Sequence, residues 1–253
     1  MTRRSAFFLI ILLLLAVALA GSLLANHYLF TVAAGYYLQL NQQRLDPLAL
    51  SALMPTAPPL QSAQQRLVLM GDSRAQDWPM PPALPQFQFI NRGIGGQTTA
   101  QIVGRFDAHV APLRPQVLLL QLGVNDLKTI PMFPDQRATI VADVLVNTRQ
   151  MVDQTRAWGG VVILTTIFPV TEASFERRLF FWSDDVSLSI QEVNQVLRSW
   201  ASESILLLDA HSLLLGADGL TRPEFALDTL HLNAAGYAHL NAALRPILTG
   251  LSP

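Results

Sequence analysis

Four short polar stretches of this sequence hold the residue types that nucleophilic chemistry needs. They read GDSR at 71–74, RGIGGQTT at 92–99, GVND at 123–126 and LDTLH at 227–231. Taken singly, each stretch has the composition of an ordinary turn or of a helix N-cap. Together they supply a hydroxyl, an imidazole, carboxylates and donors for an anion, so we interpret them as parts of one site.

Ser73 is the candidate nucleophile of that site. A serine hydroxyl attacks a carbonyl carbon efficiently only when a neighbouring imidazole takes its proton. His231 is the candidate base, and Asp228 is the candidate acid that orients the imidazole and stabilises its charged form. In a helical turn, their spacing of three residues would place both side chains on one face. Asp209 and His211 are a rival pair, but their spacing does not match the Asp-x-x-His pattern of Asp228 and His231.

The tetrahedral intermediate of such an attack carries an oxyanion, which needs hydrogen-bond donors that are already in place. We expect three donors: the backbone N–H of Ser73, the backbone N–H of Gly96 and the side-chain amide of Asn125. Asp126 follows Asn125 directly. We interpret Asp126 as a residue that organises the loop, either by pinning the serine loop or by capping a helix.

The elements that must position these residues alternate between short apolar runs and longer helical segments. Strands are predicted at 66–70, 87–91, 116–122, 161–167 and 205–209, and helices at about 98–110, 136–157, 185–201 and 234–248. This alternation predicts an α/β fold with a parallel sheet that is covered by helices on both faces. Functional groups of such folds gather at the carboxyl ends of the strands. The first three polar stretches follow the first three predicted strands directly.

With Ser73 in GDSR, Gly96 in GIGGQTT, Asn125 in GVND and His231 in DTLH, the chain resembles the SGNH hydrolases, the GDSL-type esterases and lipases. The resemblance implies a flavodoxin-like three-layer sandwich with a five-stranded parallel sheet in the order 2-1-3-4-5. It implies that Ser73 is the nucleophile, that His231 is the base and that Asp228 is the acid. It also implies an oxyanion hole from Ser73, Gly96 and Asn125, with no metal and no cofactor.

One position departs from the usual pattern of that family. The residue after the nucleophile is usually Leu and is Arg74 here. This position is not one of the four named residues, so we expect the chemistry to be retained. We expect Arg74 to form a salt bridge with a neighbouring acid; the alternative is that it points toward an anionic substrate.

The N-terminal segment has the composition of a membrane span. Arg3 and Arg4 precede residues 5–43, which carry no charge. Residues 6–25 supply the roughly 20 apolar residues that cross a bilayer core. Because the positive charges precede the run, the N-terminus is expected in the cytoplasm and the rest of the chain outside it. The alternative is a signal segment that is cleaved after Ala20.

These patterns divide the chain into three parts. Residues 1–25 are interpreted as a membrane anchor or signal segment, and residues 66–253 as the hydrolase domain. Between them, residues 26–65 are interpreted as a connector or linker, because they are semi-polar and aromatic at first and then rich in proline.

The overall composition narrows the classes of function. The formal net charge is −1, so the sequence has no electrostatic footprint for nucleic acid. The chain contains no cysteine, which excludes disulfides, thiolate metal sites and cysteine nucleophiles. The expected partners are an ester substrate and, through the N-terminal helix, a membrane.

We therefore expect a membrane-anchored, extracytoplasmic serine hydrolase that cleaves carboxylic esters through an acyl-enzyme. The first candidate substrate is an O-acetyl group on an envelope or exported polysaccharide, and the second is a lysophospholipid or an acyl thioester. An anchored glycan-binding factor without turnover is a further alternative. Residues 168–185, which are rich in aromatic side chains, are expected either to line the substrate site or to pack as a lid.

Overall fold

The computed structural model of the protein describes residues 3–53, 58–61, 63–81 and 84–251. The chain divides into two compact units, Met1–Ala49 and Leu50–Pro253. The predicted boundary between connector and hydrolase domain, at residue 65, falls inside the second unit. The assignment of separate roles to residues 1–25, 26–65 and 66–253 stays a prediction.

The first unit contains a single helix, α1 (Arg3–Leu45), which spans 43 residues and buries none of its side chains within the protein. Among the described residues it is the one helix that is long and apolar enough to cross a membrane, a property that a signal sequence shares. At about 1.5 Å per residue it is roughly 65 Å long, about twice the thickness of a bilayer core. The helix thus continues through residues 26–45 of the predicted connector and ends shortly before Pro47, the first proline of the chain.

The second unit is built on a five-stranded sheet. Its strands are β1 (Gln65–Gly71), β2 (Phe87–Gly93), β3 (Val117–Gln121), β4 (Val161–Thr165) and β5 (Ile205–Leu208). All neighbouring pairs are parallel, and the order is β2-β1-β3-β4-β5. This confirms the predicted sheet. All five residues of β3 are buried, as expected for a central strand that is covered on both faces.

Nine further α-helices belong to this unit of the described chain. They are α2 (Ser73–Gln76), α3 (Thr99–Gly104), α4 (Phe106–His109), α5 (Val124–Leu127), α6 (Arg137–Ala157), α7 (Phe175–Phe180), α8 (Asp185–Ser199), α9 (Ala210–Leu214) and α10 (Ala234–Gly250). Short 3-10 turns lie at Ala111–Leu113, Ile130–Met132, Pro134–Gln136 and Pro223–Phe225.

The helices cover both faces of the sheet, which confirms the three-layer arrangement. On one face, α3, α4, α6 and α8 pack in a core cluster that contains Val68 and Leu118. On the other face, α9 and α10 pack with Trp78 in a second cluster that contains Leu69 and Leu119. Successive strand residues thus enter opposite cores, because side chains alternate across a strand.

The helix predicted at about 98–110 is broken at Arg105, which separates α3 from α4. Arg105 is fully buried. Its guanidinium donates to the side-chain oxygen of Gln97 and to the backbone oxygen of Gly71. Gly104 ends α3 and has a low helix propensity, so the backbone can turn there and direct Arg105 inward.

Candidate active site

The carboxyl ends of β1, β2 and β3 lie side by side, so the first three polar stretches meet at one edge of the sheet. Gly71 of β1 pairs with Gly93 of β2 and with Gln121 of β3. A Cβ atom on Gly71 would lie 1.7 Å from the backbone oxygen of Gln121. Only glycine therefore fits where β1 passes β3, immediately before the candidate nucleophile.

Ser73 is the first residue of α2, which begins directly after β1. Asp72 caps this turn, since its Oδ1 accepts a hydrogen bond of 2.9 Å from the backbone N–H of Arg74. The hydroxyl of Tyr237 donates to the backbone oxygen of Arg74 at 2.9 Å and holds the turn against α10. The Oγ atom of Ser73 lies 2.9 Å from Nε2 of His231.

His231 in turn contacts Asp228. Its Nδ1 lies 2.9 Å from Oδ2 and 3.0 Å from Oδ1 of the carboxylate. The backbone N–H groups of Leu230 and His231 donate to Oδ1 at 2.8 and 2.9 Å. The two side chains meet as the spacing predicted, but not through a helical turn: the segment is a bend in which the carboxylate accepts from the residues that follow it.

The electrostatics of Asp228 favour its ionised form. Partial burial raises its pKa, but hydrogen bonds from the Leu230 N–H and from the imidazole and N–H of His231 outweigh burial and bring the pKa to about 2. An ionised carboxylate at Nδ1 keeps the proton on that nitrogen. Nε2 of His231 is then the acceptor that faces the hydroxyl of Ser73, which is the tautomer that proton abstraction requires.

Asp72 lies next to Ser73 in the chain but has the opposite character. It is fully buried. Burial raises its pKa to about 6, against the weaker lowering effects of the Arg74 charge and the Arg74 N–H. Within the described residues, its Oδ2 has no hydrogen-bond partner. Asp72 therefore serves as a cap on the serine turn and makes no hydrogen bond to the imidazole.

Arg74 forms no salt bridge with any acid that the structure describes, so the expectation of a paired acid is wrong. Its guanidinium is fully buried and donates to three backbone oxygens, those of Leu230 at 2.7 Å, Phe168 at 3.1 Å and Pro169 at 3.2 Å. It also lies over the ring of Phe168. Since the side chain is enclosed, the alternative of a contact with an anionic substrate also fails. Arg74 instead ties the serine turn to the loop of His231 and to the segment after β4.

The candidate oxyanion residues lie on two loops that are joined by a hydrogen bond. The side-chain N–H of buried Asn125 donates to the backbone oxygen of Gln97 at 3.0 Å. Gly96, which precedes Gln97, has a φ of +76° and open space around its Cα. A Cβ on the neighbouring Gly95 would lie 3.7 Å from the Cβ of Ser73. The structure thus brings the glycine loop beside both Ser73 and Asn125.

Asp126 organises this pair of loops, in line with its interpretation from the sequence. Its carboxylate accepts from the N–H of Thr99 at 3.1 and 2.9 Å and from the Thr99 hydroxyl at 2.7 Å. Thr99 is the first residue of α3. Asp126 therefore joins the third polar stretch to the end of the second, rather than pinning the serine loop.

The rival pair Asp209 and His211 does not form a second dyad. The carboxylate of Asp209 accepts from Arg198 at 3.0 Å, and also from the side chains of Ser212 and Thr166. Burial raises the pKa of Asp209, but these donors outweigh it and bring the pKa to about 2. His211 is buried on α9, and burial lowers the pKa of its imidazole.

The sequence interpretation missed Lys128, which contacts Asn125. Its ammonium donates to the side-chain oxygen of Asn125 at 2.5 Å. The two residues are three apart at the short helix α5, so their spacing was the available signal. Within the described residues, no cluster of three or more His, Asp or Glu side chains has the arrangement of a metal site.

Comparison with known proteins agrees with this geometry. Residues 68–239 match the GDSL-like Lipase/Acylhydrolase family. A curated relative, the uncharacterized lipoprotein YqeF of Bacillus subtilis, is 31% identical over 98 residues, which cover 37% of this chain and 38% of the relative. The match thus spans well under half the length of that relative.

Solved structures share the fold. A GDSL-like lipase from Bacteroides thetaiotaomicron is similar with a TM-score of 0.63 and 24% identity, over 83% of this chain and 97% of that one. A catalytic mutant of an acetylxylan esterase from Geobacillus stearothermophilus is similar with a TM-score of 0.51 and 17% identity, over 73% and 94% of the two chains. With its ordered polar stretches and its five-stranded sheet, this chain belongs to the GDSL-like lipase/acylhydrolase family.

Proposed function

We propose that Ser73, His231 and Asp228 form the catalytic triad of an ester hydrolase. The observation that carries the proposal is the chain of contacts from Ser73 Oγ to His231 Nε2 and from His231 Nδ1 to Asp228, each 2.9 Å at its shortest. Ser73 attacks the ester carbonyl while Nε2 takes the hydroxyl proton. The imidazolium then gives this proton to the departing alcohol and leaves the acyl group on Ser73.

Deacylation follows the same route in reverse. His231 takes a proton from water, the resulting hydroxide attacks the acyl carbonyl, and the carboxylic acid leaves as the proton returns to Ser73. In both steps negative charge develops on the former carbonyl oxygen. The backbone N–H groups of Ser73 and Gly96 and the side-chain amide of Asn125 are the proposed donors to that oxygen.

The oxyanion proposal is tested with Asn125→Ala. A donor that acts on developing charge stabilises the transition state and contributes little to ground-state binding. We expect kcat to fall about 10²-fold or more with KM nearly unchanged, since loss of one such donor has this magnitude in related chemistry. An unchanged kcat, or loss of the folded state alone in a thermal melt, would exclude Asn125 from the oxyanion hole.

We also propose that α1 anchors the protein in the cytoplasmic membrane, with the catalytic unit on the extracytoplasmic side. Arg3 and Arg4 at the start of α1 and the uncharged run after them support this orientation. A reporter fused after Pro253 that works only outside the cytoplasm should then be active. Activity of a cytoplasmic reporter would contradict the orientation, and a mature chain that begins at Gly21 would replace the anchor with a cleaved signal.

For the substrate we propose acetyl esters of a hydroxyl-rich polymer such as an envelope or exported polysaccharide. The support is a groove beside the triad. Two adjoining cavities of about 390 and 620 Å³ share Thr171, Glu172 and Leu220; the smaller also includes Asp228, and the larger includes Trp182. Hydroxyl and carboxylate groups suit sugar hydroxyls, and an indole face suits the apolar face of a sugar ring.

A lipid acyl substrate is the second candidate, because α7 exposes three large apolar side chains. Phe175, Leu179 and Phe180 are 72%, 56% and 70% exposed. Arg178 of the same helix lines the larger cavity, so this surface lies beside the groove. Exposed aromatic side chains at that place favour an acyl chain of a lysophospholipid or thioester.

The two candidates differ in their dependence on chain length and on Trp182. For acetyl ester hydrolysis, kcat/KM should be highest with p-nitrophenyl acetate and should fall as the acyl chain lengthens to sixteen carbons. Trp182→Ala should raise KM for an acetylated xylan oligosaccharide and leave p-nitrophenyl acetate, its internal control, unaffected. A preference for long chains, together with indifference to Trp182→Ala, would favour the lipid substrate instead.

A further inference from the structure

Lys128 is the only lysine of a chain that otherwise uses arginine for its basic residues. Of the 17 lysine and arginine residues, 16 are arginine. The two side chains are not interchangeable, because an ammonium is a compact point donor whereas a guanidinium is a broad planar fork. The single lysine lies three residues after Asn125, at the proposed oxyanion hole.

The contacts of Asn125 assign the orientation of its side-chain amide without ambiguity. The ammonium of Lys128 can only donate, and it lies 2.5 Å from Oδ1. The backbone oxygen of Gln97 can only accept, and it lies 3.0 Å from Nδ2. A flipped amide would lose both hydrogen bonds. One N–H of Nδ2 donates to Gln97, and within the described part of the chain the other has no acceptor and is left for a substrate oxygen.

The charge of Lys128 lies in a partly enclosed environment. The side chain is half-buried, and several charged groups act on it: Asp72 and Asp126 favour its charged form, whereas Arg74 and Arg177 oppose it. Burial, the largest effect, lowers the pKa of Lys128. A charge in such a place is screened less than a surface charge. A cation on the oxygen of an amide also polarises the group and strengthens the donation from its N–H.

We propose that Lys128 is a positioning residue of the oxyanion hole: it locks the amide of Asn125 with an N–H toward the developing oxyanion, and its charge makes that N–H a stronger donor. The inference rests on the proposed role of Asn125. Lys128 does not contact the reacting atoms and acts through Asn125. The compact ammonium suits this contact, whereas the fork of an arginine would need more space beside a buried amide.

The absence of cysteine from the natural chain permits a chemical test at this single position. In the full-length protein in detergent, Lys128→Cys should lower kcat about tenfold with KM unchanged, since part of one donor's contribution is lost. Alkylation with 2-bromoethylamine restores an ammonium of nearly the original length and should recover most of kcat. Alkylation with iodoacetamide adds a neutral group and should not. Equal kcat after the two alkylations, or no loss in Lys128→Cys, would overturn the proposal.

A second measurement uses the natural protein and does not depend on folding of a variant. Acetylation with an N-hydroxysuccinimide ester removes the charge of the one lysine, whereas reductive dimethylation retains it. Acetylation also removes the charge of the N-terminus, whereas dimethylation retains it, so the same two reactions on Lys128→Met measure the contribution of the N-terminus separately. With complete modification verified by mass spectrometry, only acetylation should lower kcat. Similar activity of the two products would contradict the role of the charge.

A double-mutant comparison separates this proposal from the one on which it rests. If Lys128 acts through Asn125, then Lys128→Met should lower kcat in the natural background and have no further effect in Asn125→Ala. An unchanged kcat in Asn125→Ala alone would refute the oxyanion role of Asn125. A large effect of Asn125→Ala combined with no effect of Lys128→Met would leave that role standing and refute the positioning role of Lys128.

Discussion

Two carboxylates flank the candidate nucleophile, and their surroundings give them opposite properties. Asp72 precedes Ser73 in the chain, is fully buried, and has a pKa that burial raises to about 6. Asp228 is distant in sequence and largely exposed, and its hydrogen-bond donors bring its pKa to about 2. The difference shows that the donors around a carboxylate, rather than its proximity to the serine along the chain, decide which one can support the imidazole.

The segments that carry the two residues also differ in how far they are enclosed. The Asp72 segment is enclosed: Gly71 passes close to β3, and Arg74 is buried under three backbone oxygens. The Asp228 segment is an exposed bend that is held by its own backbone N–H groups, by Thr171 and by the bond from Arg74 to Leu230. A rigid nucleophile thus faces an acid–base pair on a surface loop, and Arg74 connects the two.

The largest effect on kcat is expected from loss of the imidazole of His231, which contacts Asp228. His231→Ala should lower kcat about 10³-fold or more, because the nucleophile and its base act as one unit. His211→Ala is the matched control, since its imidazole is buried away from the triad contacts, and it should retain activity within a few-fold. If His211→Ala were the inactive variant and His231→Ala were active, the assignment of the base would be wrong.

The two carboxylates can be compared directly by the same substitution. Asp228→Asn should lower kcat about 10²-fold or more, because an amide neither holds the imidazole in the required tautomer nor stabilises its charged form. Asp72→Asn keeps the oxygen that caps α2, so kcat should change by less than about threefold. Steady-state kinetics on p-nitrophenyl acetate measures kcat of both variants. Equal losses of kcat would contradict different roles for the two carboxylates.

Arg74 tests the connection between the two segments. Arg74→Met keeps much of the apolar volume but leaves the backbone oxygens of Leu230, Phe168 and Pro169 without their donor. Each buried oxygen that loses its partner costs about 1 kcal/mol or more, so a loss of roughly 3 kcal/mol in the free energy of unfolding is expected. Thermal melts measure this loss. A variant as stable as the natural protein would show that the three bonds contribute little.

The smallest effect concerns the pH dependence of stability. The folded pKa of Asp72, about 6, lies above the ordinary value of 3.8, so the folded state holds its proton more tightly. Asp72 therefore destabilises the fold progressively as pH rises from about 4 to 6. Asp228 has the opposite sign: its contribution is present above about pH 4 and is lost as pH falls toward 2.

Asp72→Asn removes the proton that Asp72 exchanges and so isolates this effect. The variant should gain stability relative to the natural protein as pH rises from 4 to 7, and the difference should fade again toward pH 4. Melting temperatures of the two proteins across this range give the measurement. A difference that does not change with pH would mean that Asp72 titrates at its ordinary value and that burial does not perturb it.

The sequence predicted the sheet and the meeting of the polar stretches because both depend on short-range patterns. Apolar runs without polar alternation identify buried strands, and strand–helix alternation then brings the ends of β1, β2 and β3 together. The residue types at those ends indicate the chemistry. The pairing of Asp228 with His231 was also predictable from spacing, although the bend that forms it is an Asx-type turn and not a helix.

The parts that could not be predicted depend on contacts between distant segments. Arg74 was expected to find an acid, but its partners are backbone oxygens near residues 168 and 230, which no local pattern reveals. The break of the predicted helix at Arg105 has the same origin, since its guanidinium bonds to the end of β1. The raised pKa of Asp72 results from burial, which residue spacing does not report.

Ser73 is the proposed nucleophile, activated by His231, which in turn contacts Asp228. Peptide mapping by mass spectrometry after reaction of the full-length protein with a fluorophosphonate tests this assignment most directly. The account predicts one adduct per chain, located on Ser73, with labelling strongly slowed in His231→Ala and not in His211→Ala. An adduct on another residue, or labelling of Ser73 at an unchanged rate in His231→Ala, would contradict it.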